Sequence, residues 1–180
     1  MKVLLTGSEG FVGKVLAANL LASGHEIDGI DRAKAVNSSY RFHRIDLKNK
    51  ILLDPASYDI VVHCAAAKGD WDISDKEFYE DNVIATENLL NYVRKCDVKR
   101  IIHFSTVAIY SRDVTDGSES TKIEPDSIYG QTKLESEILI RKYAEESGIP
   151  TVVLRPSVIY GRSNYANMFN LIEQLNRALP

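Results

Sequence analysis

Tyr129 and Lys133 stand four residues apart at the start of a segment with helical apolar period, so they share one helix face. A free phenol has a pKa near ~10 and is a poor base at neutral pH. A neighbouring ammonium favours the phenolate and lowers that value. Such a tyrosine can take the proton of an alcohol while a hydride leaves the same carbon for a nicotinamide. Thr106 follows the apolar run 100–104 and offers a hydroxyl to hold the alcohol oxygen in line. Tyr-x-x-x-Lys spacing is common in helices that do no chemistry. Its weight here comes from a second constellation at the other end of the chain.

That constellation is Thr6-Gly7-x-x-Gly10-x-x-Gly13, an apolar strand-like run (2–6) meeting three glycines and then a helical pattern through Phe11, Val12, Val15, Leu16, Leu20 and Leu21. Gly7 permits a backbone angle forbidden to other residues. Gly10 lets the main chain approach a pyrophosphate, and Gly13 lets the helix pack on the strand. Phosphates then meet free N–H groups at the positive end of the helix dipole. A nucleotide-triphosphate loop fits worse: its first glycine would fall on Ser8, and Lys14 is followed by Val15 rather than Ser or Thr. Asp31 ends the next strand (25–30), roughly 20 residues on, where a carboxylate accepts both ribose hydroxyls of an adenosine. It would repel a 2′-phosphate and so favours NAD over NADP. Arg32 beside it works the other way.

These groups need a frame. Strand patterns at 40–45, 58–64, 100–104 and 151–155 alternate with helical patterns at 74–96 and from Ser127, as the capping residue, to 147. The fold class is α/β, a doubly wound parallel sheet (Rossmann fold) with helices on both faces. Ligands on such sheets sit beyond the carboxyl ends of the strands, where Gly10, Asp31, Asp46, Ala65, Thr106 and Ser157 all fall. Segment 111–127 reads as a surface loop. His63 has no second ligand at metal-binding spacing and reads as a packed strand residue, as do His25, His43 and His103; no metal site is expected.

Composition bounds the rest. The 180 residues, 44% hydrophobic and 26% charged, suit one soluble domain with a real core. A net charge of −3 gives no electrostatic reason to expect nucleic acid or an anionic membrane. No apolar run approaches the ~20 residues a bilayer requires. The first strand begins at the N-terminus, and Cys64 and Cys96 lie in dissimilar settings; a cytoplasmic protein with reduced thiols is expected.

Taken in order, the motifs resemble the extended short-chain dehydrogenase/reductases, in the NAD-dependent epimerase/dehydratase group that acts on nucleotide sugars. The matching pieces are the glycine turn, Asp31, Asp46-Leu47, His63-Cys64-Ala65-Ala66, Asn82-Val83, Ser105-Thr106-x-x-x-Tyr110, Tyr129-Gly130-x-x-Lys133 and Arg155-Pro156-x-x-x-Tyr160-Gly161. The resemblance implies that Phe11 and Val12 lie along the pyrophosphate and that Asp46 and Leu47 contact adenine. It puts Ala65 and Ala66 in the cofactor cleft, Lys68 at a cofactor contact, and Asn82 as a tie between strand ends. Thr106, Tyr129 and Lys133 become the catalytic triad, with Lys133 also on the nicotinamide ribose.

Val107 and Ala108 stand where dehydratases of the family carry an Asp-Glu pair, which argues against dehydration. Val158 replaces an Asn that many nucleotide-sugar enzymes use. The expected function is an NAD-dependent nucleotide-sugar epimerase. The alternatives are an NAD(P)-dependent reductase or dehydrogenase of a ketone or sugar, and a non-catalytic dinucleotide-binding module. Relatives often pair through two long helices, here 74–96 and 129–147. They also continue well past position 180. The domain expectation is therefore an NAD-binding domain over 1–161 and the start of a substrate lobe over 162–180, in a fragment with reduced substrate grip.

Overall fold

The computed structural model describes residues 1–35, 39–67, 73–161 and 167–178. Val3 and Leu5 point to one side of the first strand, β1 (Lys2–Thr6), and Leu4 to the other, and all three are buried. A strand covered on both faces belongs in the middle of a layered sheet. After the glycine turn come α1 (Phe11–Ala22), β2 (Glu26–Asp31) and β3 (Arg41–Arg44). Then follow the two-residue β4 (Ser57–Tyr58), β5 (Ile60–His63), α2 (Asp75–Tyr79), a π turn (Glu80–Ile84) and α3 (Ala85–Val93). The chain continues through β6 (Asp97–Val98), β7 (Ile101–Phe104), a 3-10 turn (Val107–Ile109), α4 (Ile128–Ser147), β8 (Thr151–Leu154) and α5 (Asn167–Ala178).

Six strands form one parallel sheet in the order β3-β2-β1-β5-β7-β8. The order reverses between β1 and β5, which makes a crevice at their carboxyl ends. One apolar cluster, with Leu4, Val61, Leu89, Val93, Ile101 and Ile140, fills the face under α3 and α4. The other, with Val3, Leu5, Ala17, Ile27 and Val62, packs the face under α1.

All six expected strands are present, with ends shifted by a residue or two. The parallel pair β4–β6 was not expected, because two residues carry no readable period. Ser74 caps α2 in a reciprocal capping box with Glu77. Ser127 caps α4 by accepting from the Gly130 N–H, and Gly148 ends it at φ +69°. The expected helix 74–96 is interrupted by the π turn. Segment 111–127 is a surface loop, tied by an antiparallel bridge between Tyr110 and Ile123.

Candidate active site

The glycine turn is shaped by close approach of backbone to backbone. Gly7 adopts φ +69°, and a Cβ there would lie 2.7 Å from the Ala65 nitrogen. A Cβ on Gly13 would lie 2.0 Å from the Gly7 carbonyl oxygen, so only glycine lets α1 start where it does. Beside Gly10 the nearest such atom is that same oxygen at 3.1 Å, so the protein itself crowds this glycine least. Gly10 is the N-cap of α1 and supplies no side-chain cap, which leaves the first N–H groups of the helix available to an anion.

A cavity of about 320 Å³ opens in front of this turn. Gly7, Gly10, Asp31, Arg32, Asp46, Leu47, Ala65 and Ala66 line it, eight of the expected cofactor contacts. Asp31 is fixed by two backbone donors, Glu9 N–H to Oδ2 and Ala33 N–H to Oδ1, each at 2.9 Å. Each carboxylate oxygen keeps a lone pair for a ribose hydroxyl. Asp46 accepts from the Lys48 N–H at 3.0 Å, and Asn88 of α3 donates to the carbonyls of Leu47 and Lys48 at 2.9 and 3.0 Å. Phe11 and Val12 open α1 outside the cavity lining; the Phe11 ring reaches 3.4 Å from the Cβ position of Gly161. Lys68 lies outside the described residues.

Three contributors to this end were not expected. Glu9, its side chain almost wholly buried, accepts a 2.7 Å hydrogen bond from the Tyr40 hydroxyl. Burial together with Glu9 pushes the Tyr40 phenol up to about 12. Asp81 takes the Arg32 guanidinium, whose Nη1 lies 3.1 and 2.9 Å from the two carboxylate oxygens. Asn88 is the third. Only their partners far along the chain give them a role, so no local pattern marks them.

Asn82, on the π turn, ties the segment beyond β5 to helix α4 where a tie between strand ends was expected. Its Oδ1 accepts from the Ala67 N–H at 2.8 Å, and its Nδ2 donates to the Thr132 hydroxyl of α4 at 3.0 Å. A π turn inserted in a helix commonly marks a functional site. His63 is a packed strand histidine. Its Nδ1 meets the Thr6 hydroxyl at 2.7 Å and its Nε2 the Thr86 hydroxyl at 2.9 Å. Thr86 spends its own proton on the Asn82 carbonyl at 2.6 Å, so His63 carries its proton on Nε2. Burial pulls its pKa down to about 3. Among the described residues, no group of three or more His, Cys, Asp and Glu could hold a metal, and no helix is long and apolar enough to cross a membrane.

The catalytic candidates gather at the carboxyl end of β7. Thr106 caps the 3-10 turn by accepting from the Ala108 N–H at 3.1 Å. A Cβ on Gly130 would lie 2.1 Å from the Ala108 carbonyl oxygen, so glycine lets α4 press against that turn. This sets Tyr129 beside Thr106, with its ring 6.1 Å from Phe78. Lys133, buried, donates to the Phe104 carbonyl at 2.6 Å. Burial lowers its pKa to about 8, against the opposing pull of Cys64 and Glu137.

The expected lowering of the Tyr129 pKa by Lys133 is not what the structure has. Burial raises the phenol above its ordinary value, only the Thr106 hydrogen bond opposes this, and the lysine is turned to a carbonyl instead. One turn along α4, the buried Glu137 is gripped by Arg155 (3.1 Å to Oε2) and Arg141 (2.9 Å to Oε1). The Arg155–Glu137 pair locks the end of β8 to α4, and Arg155 also donates to the hydroxyl of Tyr110 at the end of the 3-10 turn.

With this geometry in place, the comparisons with known proteins are direct. The family model for the NAD dependent epimerase/dehydratase family matches residues 3–179. The N-acetyl-alpha-D-glucosaminyl-diphospho-ditrans,octacis-undecaprenol 4-epimerase of Escherichia coli O157:H7 is 33% identical over 96% of this chain and 53% of its own length. The dTDP-6-deoxy-L-talose 4-dehydrogenase (NAD(P)(+)) of Kitasatospora kifunensis is 35% identical over 89% of this chain and 53% of its own. Among solved structures, a UDP-glucuronic acid 4-epimerase from Bacillus cereus in complex with NAD superposes with a TM-score of 0.85 at 31% identity, covering 100% of this chain and 64% of that one. The chain thus spans about half the length of these curated relatives.

Proposed function

The chain belongs to the NAD dependent epimerase/dehydratase family, and from that premise we propose that it carries the cofactor site and catalytic triad of an NAD-dependent nucleotide-sugar epimerase. The observation that carries this reading is the Thr106–Tyr129 contact at the same sheet edge as the glycine-turn cavity. The residues fit a dinucleotide: the uncapped helix start would receive its phosphates, and the Asp31 carboxylate, held at both oxygens, would accept from a ribose. When bound, NAD would supply a reversible hydride acceptor.

The chain's own residues do the rest. Thr106 orients a substrate hydroxyl, and Tyr129 exchanges its proton with that oxygen. Lys133, buried on the same helix and held on the Phe104 carbonyl, supplies the positive charge of the triad. The domain division at about 161, a small nucleotide-sugar substrate, a cytoplasmic setting and pairing of two copies through 74–96 and 129–147 belong to the same reading.

Interconversion of the epimers of a nucleoside diphosphate sugar by the whole protein, with no net change in nicotinamide absorbance, tests it. Tyr129→Phe should lower kcat by about 10²–10⁴ and keep NAD binding; full turnover by that variant sinks the reading. A second reading, net dehydrogenation of a sugar or ketone, draws support from the 4-dehydrogenase relative and from Val158, exposed where an Asn is common in nucleotide-sugar enzymes. Stoichiometric reduction of NAD(P) would favour it.

A further inference from the structure

Arg32 directly follows the ribose-facing Asp31, where an arginine would ordinarily meet a 2′-phosphate. Its guanidinium instead lies against Asp81, and its carbonyl accepts from Arg44 Nε at 3.2 Å, so backbone and side chain are both held. The Asp81 side chain is 12% exposed, against 57% for Arg32. Lys48 stands farther from Asp81, at 3.9 Å, and shares itself with Glu80. The π turn makes this possible. It aims the consecutive residues Asp81 and Asn82 at two strand ends, Asp81 to β2 and Asn82 to the Ala67 N–H beyond β5.

We propose that Asp81 is a specificity-determining positioning residue that withdraws Arg32 from the adenosine ribose and thereby rejects dinucleotides with a 2′-phosphate. This rests on the cofactor reading above. A 2′-phosphate would meet the Asp31 carboxylate with the adjacent Arg32 already engaged by Asp81. Recruiting Arg32 would strip a largely buried carboxylate of its close partner, which is costly. A ribose with two hydroxyls needs only Asp31 and leaves the clamp untouched.

Titration of NAD and NADP into the whole protein tests this with four forms: wild type, Asp81→Asn, Arg32→Ala and the double variant. Asp81→Ala repeats the first change in case asparagine keeps the contact, and a thermal melt checks that each form folds. Releasing Arg32 should tighten NADP relative to NAD by about tenfold, the scale of one charge-assisted phosphate contact. Arg32→Ala alone should move both dinucleotides by the same factor, and the double variant should lose the gain. An unchanged NADP-to-NAD ratio in both Asp81 variants, or a gain that survives loss of Arg32, overturns the clamp while wild-type NAD binding stands. If the wild type binds neither dinucleotide, the cofactor reading and the clamp fall together.

Discussion

The two ends of the crevice differ in how their polar groups are satisfied. At the β1–β2–β5 end, neighbours hold the polar groups around the expected adenosine pocket: Asp31 by two N–H donors, Arg32 by Asp81, the 46–48 turn by Asn88. At the β7–α4 end the candidate reacting groups Tyr129 and Lys133 are collected, but burial shifts both against the role proposed for them. The Tyr129 phenol is pushed up and the Lys133 ammonium is pushed down. Around that end Val107, Val158, Ile159 and Tyr160 are exposed. Hydrogen bonds within the protein fix the first end before any ligand arrives. Proton affinities at the second depend on charge brought beside them, because desolvation alone disfavours both ionised forms. Binding and catalysis should therefore separate under mutation.

The sharpest way to break that distinction is a matched pair of glycine changes. A Cβ on Gly13 would sit 2.0 Å from the Gly7 oxygen, and one on Gly130 would sit 2.1 Å from the Ala108 oxygen. Backbone must shift in both, at a cost of about 3 kcal/mol or more by the scale of overpacking in a tight site. Gly13→Ala should abolish measurable dinucleotide binding. Gly130→Ala should part Tyr129 from Thr106, lowering turnover by about 10² or more while AMP still binds. Calorimetric titration with AMP and NAD, run beside a turnover assay, reads both. Equal loss of both functions in both variants would show one cooperative site instead of two ends.

What the sequence made legible follows the same division. The Ser127 cap was readable because it depends on residues within a few positions, and the glycine turn and Asp31 because their spacing along the chain is itself the pattern. The pairing of Thr106 with Tyr129 was readable in outline because Thr106 follows a strand end of the parallel sheet and Tyr129 opens the helix that comes next. Asp81, Glu9 and Asn88 were not readable, since each acts on a partner 31 or more positions away in sequence. The π turn shifts hydrogen bonds without changing residue type, and so leaves no pattern. The direction of the Tyr129 shift was misread for a related reason. Spacing of four puts Lys133 on the same helix face, but the length of its side chain carried the amine to the Phe104 carbonyl.

Asn82 belongs to both ends, and changing it measures how tightly they are joined. Its amide satisfies the Ala67 N–H on one side and the Thr132 hydroxyl on the other, and it is 1% exposed. Asn82→Ala would leave the Ala67 N–H unsatisfied and take one donor from the Thr132 hydroxyl, which keeps its bonds to the Ile128 and Tyr129 carbonyls, for a loss of about 2 kcal/mol in urea unfolding. NAD affinity and turnover should fall together. A fall in only one would place Asn82 at that end alone.

The smallest expected effect is the most specific to the catalytic end. Lys133 has its pKa lowered from 10.5 to about 8 by burial. Below that value folded and unfolded chains are both protonated there, so the burial penalty is present in full. Above it the folded chain gives up a proton that the unfolded chain keeps until about pH 10.4, so stability rises with pH across that interval. Each unit of pKa difference is worth about 1.4 kcal/mol. Between pH 8 and 9 the wild type should therefore gain about 1 kcal/mol relative to Lys133→Met. The difference between the two proteins is the quantity to follow, because Cys64 and Tyr40, both pushed up to about 12, work the other way at higher pH. Their thiol and phenol ionise first in the unfolded chain, and both variants share that loss. Urea midpoints that run parallel from pH 7 to 9 would mean that Lys133 stays an ammonium in the folded protein. The catalytic end would then be as firmly set as the adenosine end.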